Sequence, residues 1–294
     1  MSGLHRRSVK AGITCRILDT SRIHSRVWFA IQLASFAARG WTLHLHTNGH
    51  NPNSWLLALL GGMAGTWKRG STLTLHSGMM PGYLRSCPVW RMKLAGFTCR
   101  LYSTVICVGP ELRDAALQLG MPAEHTRVAP AFVNEGSADS SIDQQLCEWI
   151  SQHRPLLSSA LFFRPEYGFE LLLNAVRRLR SEHPALGCLV MGSGEQFNQA
   201  AHLVREAGLE NDVLLLGDVS HGTCLALIAR SDVFVRPTFE DGDSISVREA
   251  LALGVPVVAS RVGSRPPGTI LFDPGDLEDL ITRIAVAWET CVPA

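Results

Sequence analysis

Apolar positions in the second half of the chain alternate between short continuous runs and helical periodicity. The runs Leu156–Phe163, Leu186–Met191, Val213–Leu216, Val233–Val235 and Val255–Ala259 predict strands. Between them, helical spacing predicts helices over Phe169–Arg180, Gln196–Ala207, Thr223–Arg230 and Ser246–Leu253, with a last one over Leu277–Trp288. Gly254 stands where a left-handed cap would end the fourth of these. Near-continuous apolar strands alternating with helices imply a parallel sheet covered on both faces.

The first half alternates less cleanly. Helices are expected over Val27–Ala38, Ser54–Met63 and Glu111–Gly120, and strands over Thr42–Thr47, Thr72–His76 and Thr104–Val108. The small, polar stretch Asn134–Asp143 suits a linker. Two domains are therefore expected, residues 1–133 and 151–294, with 134–150 between them; 294 residues also exceed what one ordinary core supports.

Charge sharpens this division. Residues 1–110 hold 13 Lys and Arg against one acid, Asp19, a balance of +12 inside a chain whose net charge is only +1. A basic half beside an acidic half points to an anionic partner for the first, whether a phosphorylated substrate, an anionic lipid or nucleic acid. A solvated basic face is the plain alternative. The eight cysteines form no Cys-x-x-Cys pair and several sit inside apolar runs, so reduced core thiols are expected rather than disulfides or a zinc site. The run Trp55–Gly65 is too short to span a bilayer. Arg6, Arg7 and Lys10 precede no long apolar region, so no secretion signal is expected and the cytoplasm is the expected compartment.

The chemistry concentrates in Arg236–Ser260, RPTFEDGDSISVREALALGVPVVAS. A strand leads into an acidic, Gly-containing loop, then a helix. Such a loop brings the backbone N–H groups of Ser244, Ile245 and Ser246 to a helix N-terminus, beside Gly242, where a diphosphate can be held. Asp241 and Glu249 flank it eight positions apart, and a carboxylate accepts well from vicinal hydroxyls. Either acid alone reads as a turn or surface residue; the whole string does not.

This stretch resembles the acidic-x7-acidic signature of the retaining GT-B glycosyltransferases of family 4, of the kind used in bacterial surface-polysaccharide assembly. Val190–Glu195 (VMGSGE) resembles the family's Gly-x-Gly loop, with Gly192 and Gly194. Leu215–Val219 (LLGDV), with Gly217 and Asp218, resembles its base-binding strand end. Val105–Gly120 and Arg127–Val133 resemble the closing elements of its first domain. The resemblance implies an α/β GT-B fold, two Rossmann-like domains with parallel sheets facing a cleft, the first shortened. It implies that Asp241 contacts the transferred sugar, that Glu249 holds the ribose, and that His76, ending the strand of TLTLHSG, lies beside the reacting sugar. His46, ending LHLH, is expected to be structural.

The implied activity is transfer of a hexose from a nucleotide diphosphate sugar to a glycan or lipid-linked acceptor, retaining and without a metal or other cofactor. The basic half would contact the inner face of the membrane peripherally, and nucleic acid is not an expected partner. Asp241-Gly242-Asp243 mimics a metal-binding Asp-x-Asp, but its setting belongs to the metal-independent fold.

Three departures stand out. Tyr167 occupies the place of the family's phosphate-neutralising lysine, which leaves Arg164 as the candidate for that contact; Asp241 replaces the usual Glu; and no Gly-rich loop precedes Val27, Ala11–Thr14 being a poor counterpart. A sugar-nucleotide epimerase on the same fold and a truncated, non-catalytic donor-binding remnant are the rival readings.

Overall fold

The computed structural model describes residues 14–18, 26–66, 70–129 and 142–289. Arg6, Arg7, Lys10, Cys291, most of 134–143 and the end of 127–133 lie outside the described residues, as does all of the 11–14 stretch but Thr14. The chain divides into two compact units, Met1–Val133 with Asp241–Asp243, and Asn134–Glu240 with Ser244–Ala294.

The first unit contains α1 (Arg26–Ala38), β1 (His44–Thr47), α2 (Pro52–Gly65), β2 (Thr72–Leu75), α3 (Met80–Ser86), α4 (Val89–Arg100), β3 (Thr104–Cys107), α5 (Pro110–Gln118) and β4 (Thr126–Val128). Its four strands are parallel and lie in chain order, β1-β2-β3-β4. Helix α2 starts where its sequence dictates: the Asn51 side chain accepts from the Ser54 amide and Pro52 opens the first turn. Leu73, Leu75, Val105 and Cys107 from the strands pack with Trp55, Met80 and Leu112 from the helices. Tyr102 is buried there with its hydroxyl donating to the Ala58 carbonyl (2.6 Å), which satisfies the polar end of a large apolar side chain.

The second unit contains α6 (Gln144–Gln152), β5 (Leu156–Ala160), α7 (Phe169–Glu182), β6 (Gly187–Met191), α8 (Phe197–Glu206), β7 (Val213–Gly217), α9 (His221–Ile228), β8 (Val233–Arg236), α10 (Ile245–Ala252), β9 (Val257–Ser260), β10 (Thr269–Phe272) and α11 (Leu277–Glu289). Six parallel strands run in the order β10-β9-β8-β5-β6-β7. Strands β6, β8 and β9 are buried along their whole length, because separate apolar clusters cover the two faces. One holds Phe163, Leu172, Val190 and Phe272; the other holds Leu189, Phe234, Val247 and Val257.

The structure corrects the expected linker. Residues from Gln144 are helical, started by the Asp143 carboxylate accepting from the Gln145 amide, and α6 buries Ile150 in the second unit's core. Leu161–Phe163 is not strand, since β5 ends at Ala160. Those residues turn away so that Leu161 and Phe163 amides bond the Met191 and Ser193 carbonyls of the neighbouring loop.

Candidate functional site

Strand order in the second sheet reverses at β5, which has β6 on one side and β8 on the other. In open parallel sheets, ligands bind beyond the carboxyl ends of the strands at such a reversal. The loops leaving β5, β6, β7 and β8 carry most of the residues singled out from the sequence.

Three of these loops are layered on one another by backbone contact. Gly192, after β6, donates to the carbonyl of Gly217, the last residue of β7 (2.8 Å). Its φ is +127°, and a Cβ there would lie 1.9 Å from the Leu161 carbonyl oxygen after β5, so only glycine fits. Gly194 is also crowded, though less, at 2.6 Å from the Phe163 amide nitrogen by the same measure. Between them the Ser193 hydroxyl donates to the Asp218 carboxylate (2.8 Å).

Arg164 is on the surface and pairs with Glu195 at 3.5 Å, both side chains being well exposed. The buried cation of this region is Arg236, at the end of β8. It donates to the Ala160 carbonyl (2.6 Å) and its guanidinium lies over the Tyr167 ring, 5.0 Å from the centroid. Tyr167 is thus the aromatic platform for an arginine. Arg265, close by, donates to the Ser260 carbonyl and to the Thr238 hydroxyl (3.0 and 3.1 Å). Sequence reasoning gave neither arginine a role.

The loop after β8 ends at Ser244, the N-cap of α10. The Ser244 side chain makes no cap bond of its own but shares a hydrogen bond with the Ser246 hydroxyl (3.1 Å). The first-turn amides at Ile245 and Ser246 sit at the positive end of the helix, where no earlier turn can accept from them. Glu249 lies on α10 with its side chain only 11% exposed, and one carboxylate oxygen is 2.6 Å from His221 Nε2 at the start of α9. His221 was not singled out. Its partner is 28 positions away, and only the packing of α9 and α10 side by side brings the two together.

Asp241–Asp243 group with the first unit. Within it, a Cβ on Gly78 would lie 1.7 Å from the Asp241 carbonyl oxygen, and one on Gly242 would lie 2.7 Å from that of His76. Asp241 and His76, the two residues expected to be catalytic, therefore fall in the same unit. The Asp241 carboxylate accepts from the Gly242 amide (3.0 Å), while Glu240 beside it is exposed. His46, expected to be structural, bonds His76: Nδ1 to Nε2, 2.8 Å.

Residues 151–283 match the family described as Glycosyl transferases group 1. This match covers the loops that leave β5, β6, β7 and β8. A phosphatidyl-myo-inositol mannosyltransferase from Propionibacterium freudenreichii is 28% identical over 158 residues, 51% of this chain and 39% of that one. An MMP alpha-(1->4)-mannosyltransferase from Mycolicibacterium hassiacum is 33% identical over 128 residues, 44% of this chain and 30% of that one. The chain thus spans well under half the length of these curated relatives. Among solved structures, Anabaena HepE in complex with UDP-glucose superposes with a TM-score of 0.70 at 20% identity, covering 89% of this chain and 72% of that one. Sucrose-phosphate synthase from Thermosynechococcus elongatus gives 0.69 at 21% identity, covering 92% and 70%. The fold is the α/β, two-sheet fold of the GT-B glycosyltransferases, in a chain shorter than those of the solved structures.

Proposed function

We propose that the protein is a retaining, metal-independent glycosyltransferase that moves a hexose from a nucleotide diphosphate sugar to a hydroxyl of a glycan or lipid-linked glycan. One observation carries the reading: the glycine loops after β6 and β7, the α10 N-terminus and the near-buried Glu249 carboxylate gather at the strand-order reversal of a glycosyl transferases group 1 domain. On this reading the first-turn amides of α10 take the diphosphate and stabilise it as it leaves. Glu249 takes the ribose hydroxyls, and Asp241 and His76 address the transferred sugar. Arg236 supplies the fixed positive charge that Tyr167, in the lysine's place, does not. The solved complexes of HepE with UDP and UDP-glucose support a nucleotide-sugar donor by analogy of fold.

No helix among the described residues is long and apolar enough to cross a membrane. On this reading a lipid-linked acceptor is met through α4, whose exposed apolar and basic side chains suit peripheral contact.

The test begins with a thermal-shift screen against UDP-, GDP- and ADP-sugars. A ligand at about 100 times its Kd adds about 2.7 kcal/mol of stability. The stabilising donor is then incubated with acceptor glycans and the anomeric configuration of the product is read by NMR. Retention of configuration is the expected outcome. An inverted product overturns the retaining mechanism, an epimerised sugar without acceptor supports the epimerase instead, and donor binding with no turnover leaves a donor-binding remnant.

A further inference from the structure

Strands β1 and β2 pair in parallel with His46 opposite Thr74. Alternation along a strand puts His44 and His46 on one face, and the same alternation carries β2 from Thr74 to His76 on that face. Three imidazoles are therefore gathered on one face of two adjacent strands, His44 at the start of β1, His46 near its carboxyl end and His76 just past the carboxyl end of β2. His44 bonds the buried Thr74 hydroxyl through Nε2 (2.7 Å) and stacks on His46 with centroids 4.4 Å apart. His46 in turn stacks on His76 at 5.1 Å while their ring nitrogens meet at 2.8 Å. His46, stacked on His44 on one side and bonded to His76 on the other, has little freedom to turn, and it touches the His76 ring by both stacking and a hydrogen bond.

We propose that His46 is a positioning residue for His76: by engaging His76 Nε2 it fixes that ring and leaves Nδ1 as the nitrogen that meets a hydroxyl of the transferred sugar. This rests on the reading of His76 as a sugar-facing residue. The chemistry is that of the imidazole itself, which has two nitrogens, one donor and one acceptor when neutral, so committing one decides the role of the other. Burial lowers the basicity of all three rings, so each is neutral near pH 7 and a single N–H occupies the His46–His76 bond. A freely rotating His76 would offer a hydroxyl either nitrogen in either tautomer; the clamped one offers a single partner.

The proposal is tested in the full-length chain with two variants. His46→Phe keeps a ring in the stack and deletes the nitrogen; His46→Asn restores a polar atom close to the place of Nδ1. Long-range proton–nitrogen correlation spectra report the His76 tautomer directly, without ligand. The expected result is one tautomer in the parent, a changed or averaged one in His46→Phe, and recovery in His46→Asn. Titration with UDP-glucose and UDP should show the sugar nucleotide weakened about two- to tenfold in His46→Phe, the range for one neutral hydrogen bond, with UDP unchanged. An unaltered His76 tautomer in a folded His46→Phe protein overturns the proposal, as does an equal loss for UDP and UDP-glucose. If neither nucleotide binds the parent, the UDP-sugar donor reading fails, and the His76 spectrum still decides whether His46 positions it.

Discussion

At the residue scale, charge and burial make opposite demands on the groups that matter here. Burial first, then His44 and His76, push the His46 imidazole from 6.5 down to about 4. The unfolded chain takes up this proton near the ordinary value, and the folded chain only near the lowered one. Between them the unfolded state binds more protons, so stability is complete above the ordinary value and is lost as pH falls toward the lowered one. His44 and His76 shift the same way. Melting temperature measured from about pH 7.5 to about 4.5 should fall with acid, and His46→Asn should flatten that slope.

On the proposed function, the two acids of the motif should separate in their effects. Glu249→Gln should weaken nucleoside diphosphate binding about ten- to a hundredfold, the range for a hydrogen bond to a charged group. Asp241→Asn should leave that affinity nearly unchanged and lower turnover, with Glu240→Gln as the silent control. Calorimetric titration of the three variants decides it; a damaging Glu240→Gln with a silent Asp241→Asn would mean the motif is out of register by one. Asp241, Glu249 and the glycines were legible because strand, loop and helix N-terminus are consecutive in the chain. The partners of these residues were not. His221 on Glu249 and Arg236 on Tyr167 are set by which helices and strands lie side by side, and no local spacing encodes that.

At the scale of elements, the second unit was legible because its inner strands β6, β8 and β9 are buried on both faces and read as near-continuous apolar runs. Where one pattern is spread over both sides of a helix, reading failed. Helix α4 was missed: it buries Ala95, Gly96, Thr98 and Cys99, and turns Trp90, Leu94 and Phe97 outward. Polar Thr98 faces in while Phe97 faces out, so no amphipathic period survives. Strand β10, four residues at the sheet edge after Pro266-Pro267-Gly268, and the short helix α3, whose first turn holds Pro81 and Gly82, gave equally weak signals.

The outward face of α4 has its own consequence. Trp90, Leu94 and Phe97 are spaced for one side of a helix, and Lys93 and Arg100 are exposed with them. Apolar side chains entering a bilayer interface contribute about 1.5–3 kcal/mol each at most, and nearby basic residues about 1 kcal/mol each. Co-sedimentation with anionic vesicles should therefore drop at least tenfold in Trp90→Ser/Phe97→Ser and weaken steeply with salt. Binding that ignores both changes would rule out α4 as the contact.

At the scale of the whole molecule, the composition already separated a basic stretch, residues 1–110, from an acidic remainder, and that basic stretch lies inside the first compact unit. The return of Asp241–Asp243 to that unit was invisible in the sequence, because a chain read in order gives no sign that three residues group with a segment over a hundred positions earlier. The sheet orders also differ in a way sequence does not reveal. Every described strand of the first sheet pairs with its chain neighbour, whereas β5 must find β8, Leu157 lying opposite Val233, 76 positions on.

That difference sets a timetable for folding. Neighbouring β-strands can zip together as soon as one crossover has formed, but the centre of the second sheet closes a loop that holds two complete strand–helix excursions. Loop closure is paid for before its contacts form, so topologies rich in distant pairings fold slowly. The second unit should therefore be the slower to fold. Val233→Ala, which truncates a fully buried side chain at that closure, should retard refolding, whereas Leu73→Ala in the first sheet should mainly hasten unfolding. Stopped-flow traces on the two variants would tell these limbs apart, and a chain leaving the ribosome would expose its half-built second sheet until β8 has been synthesised.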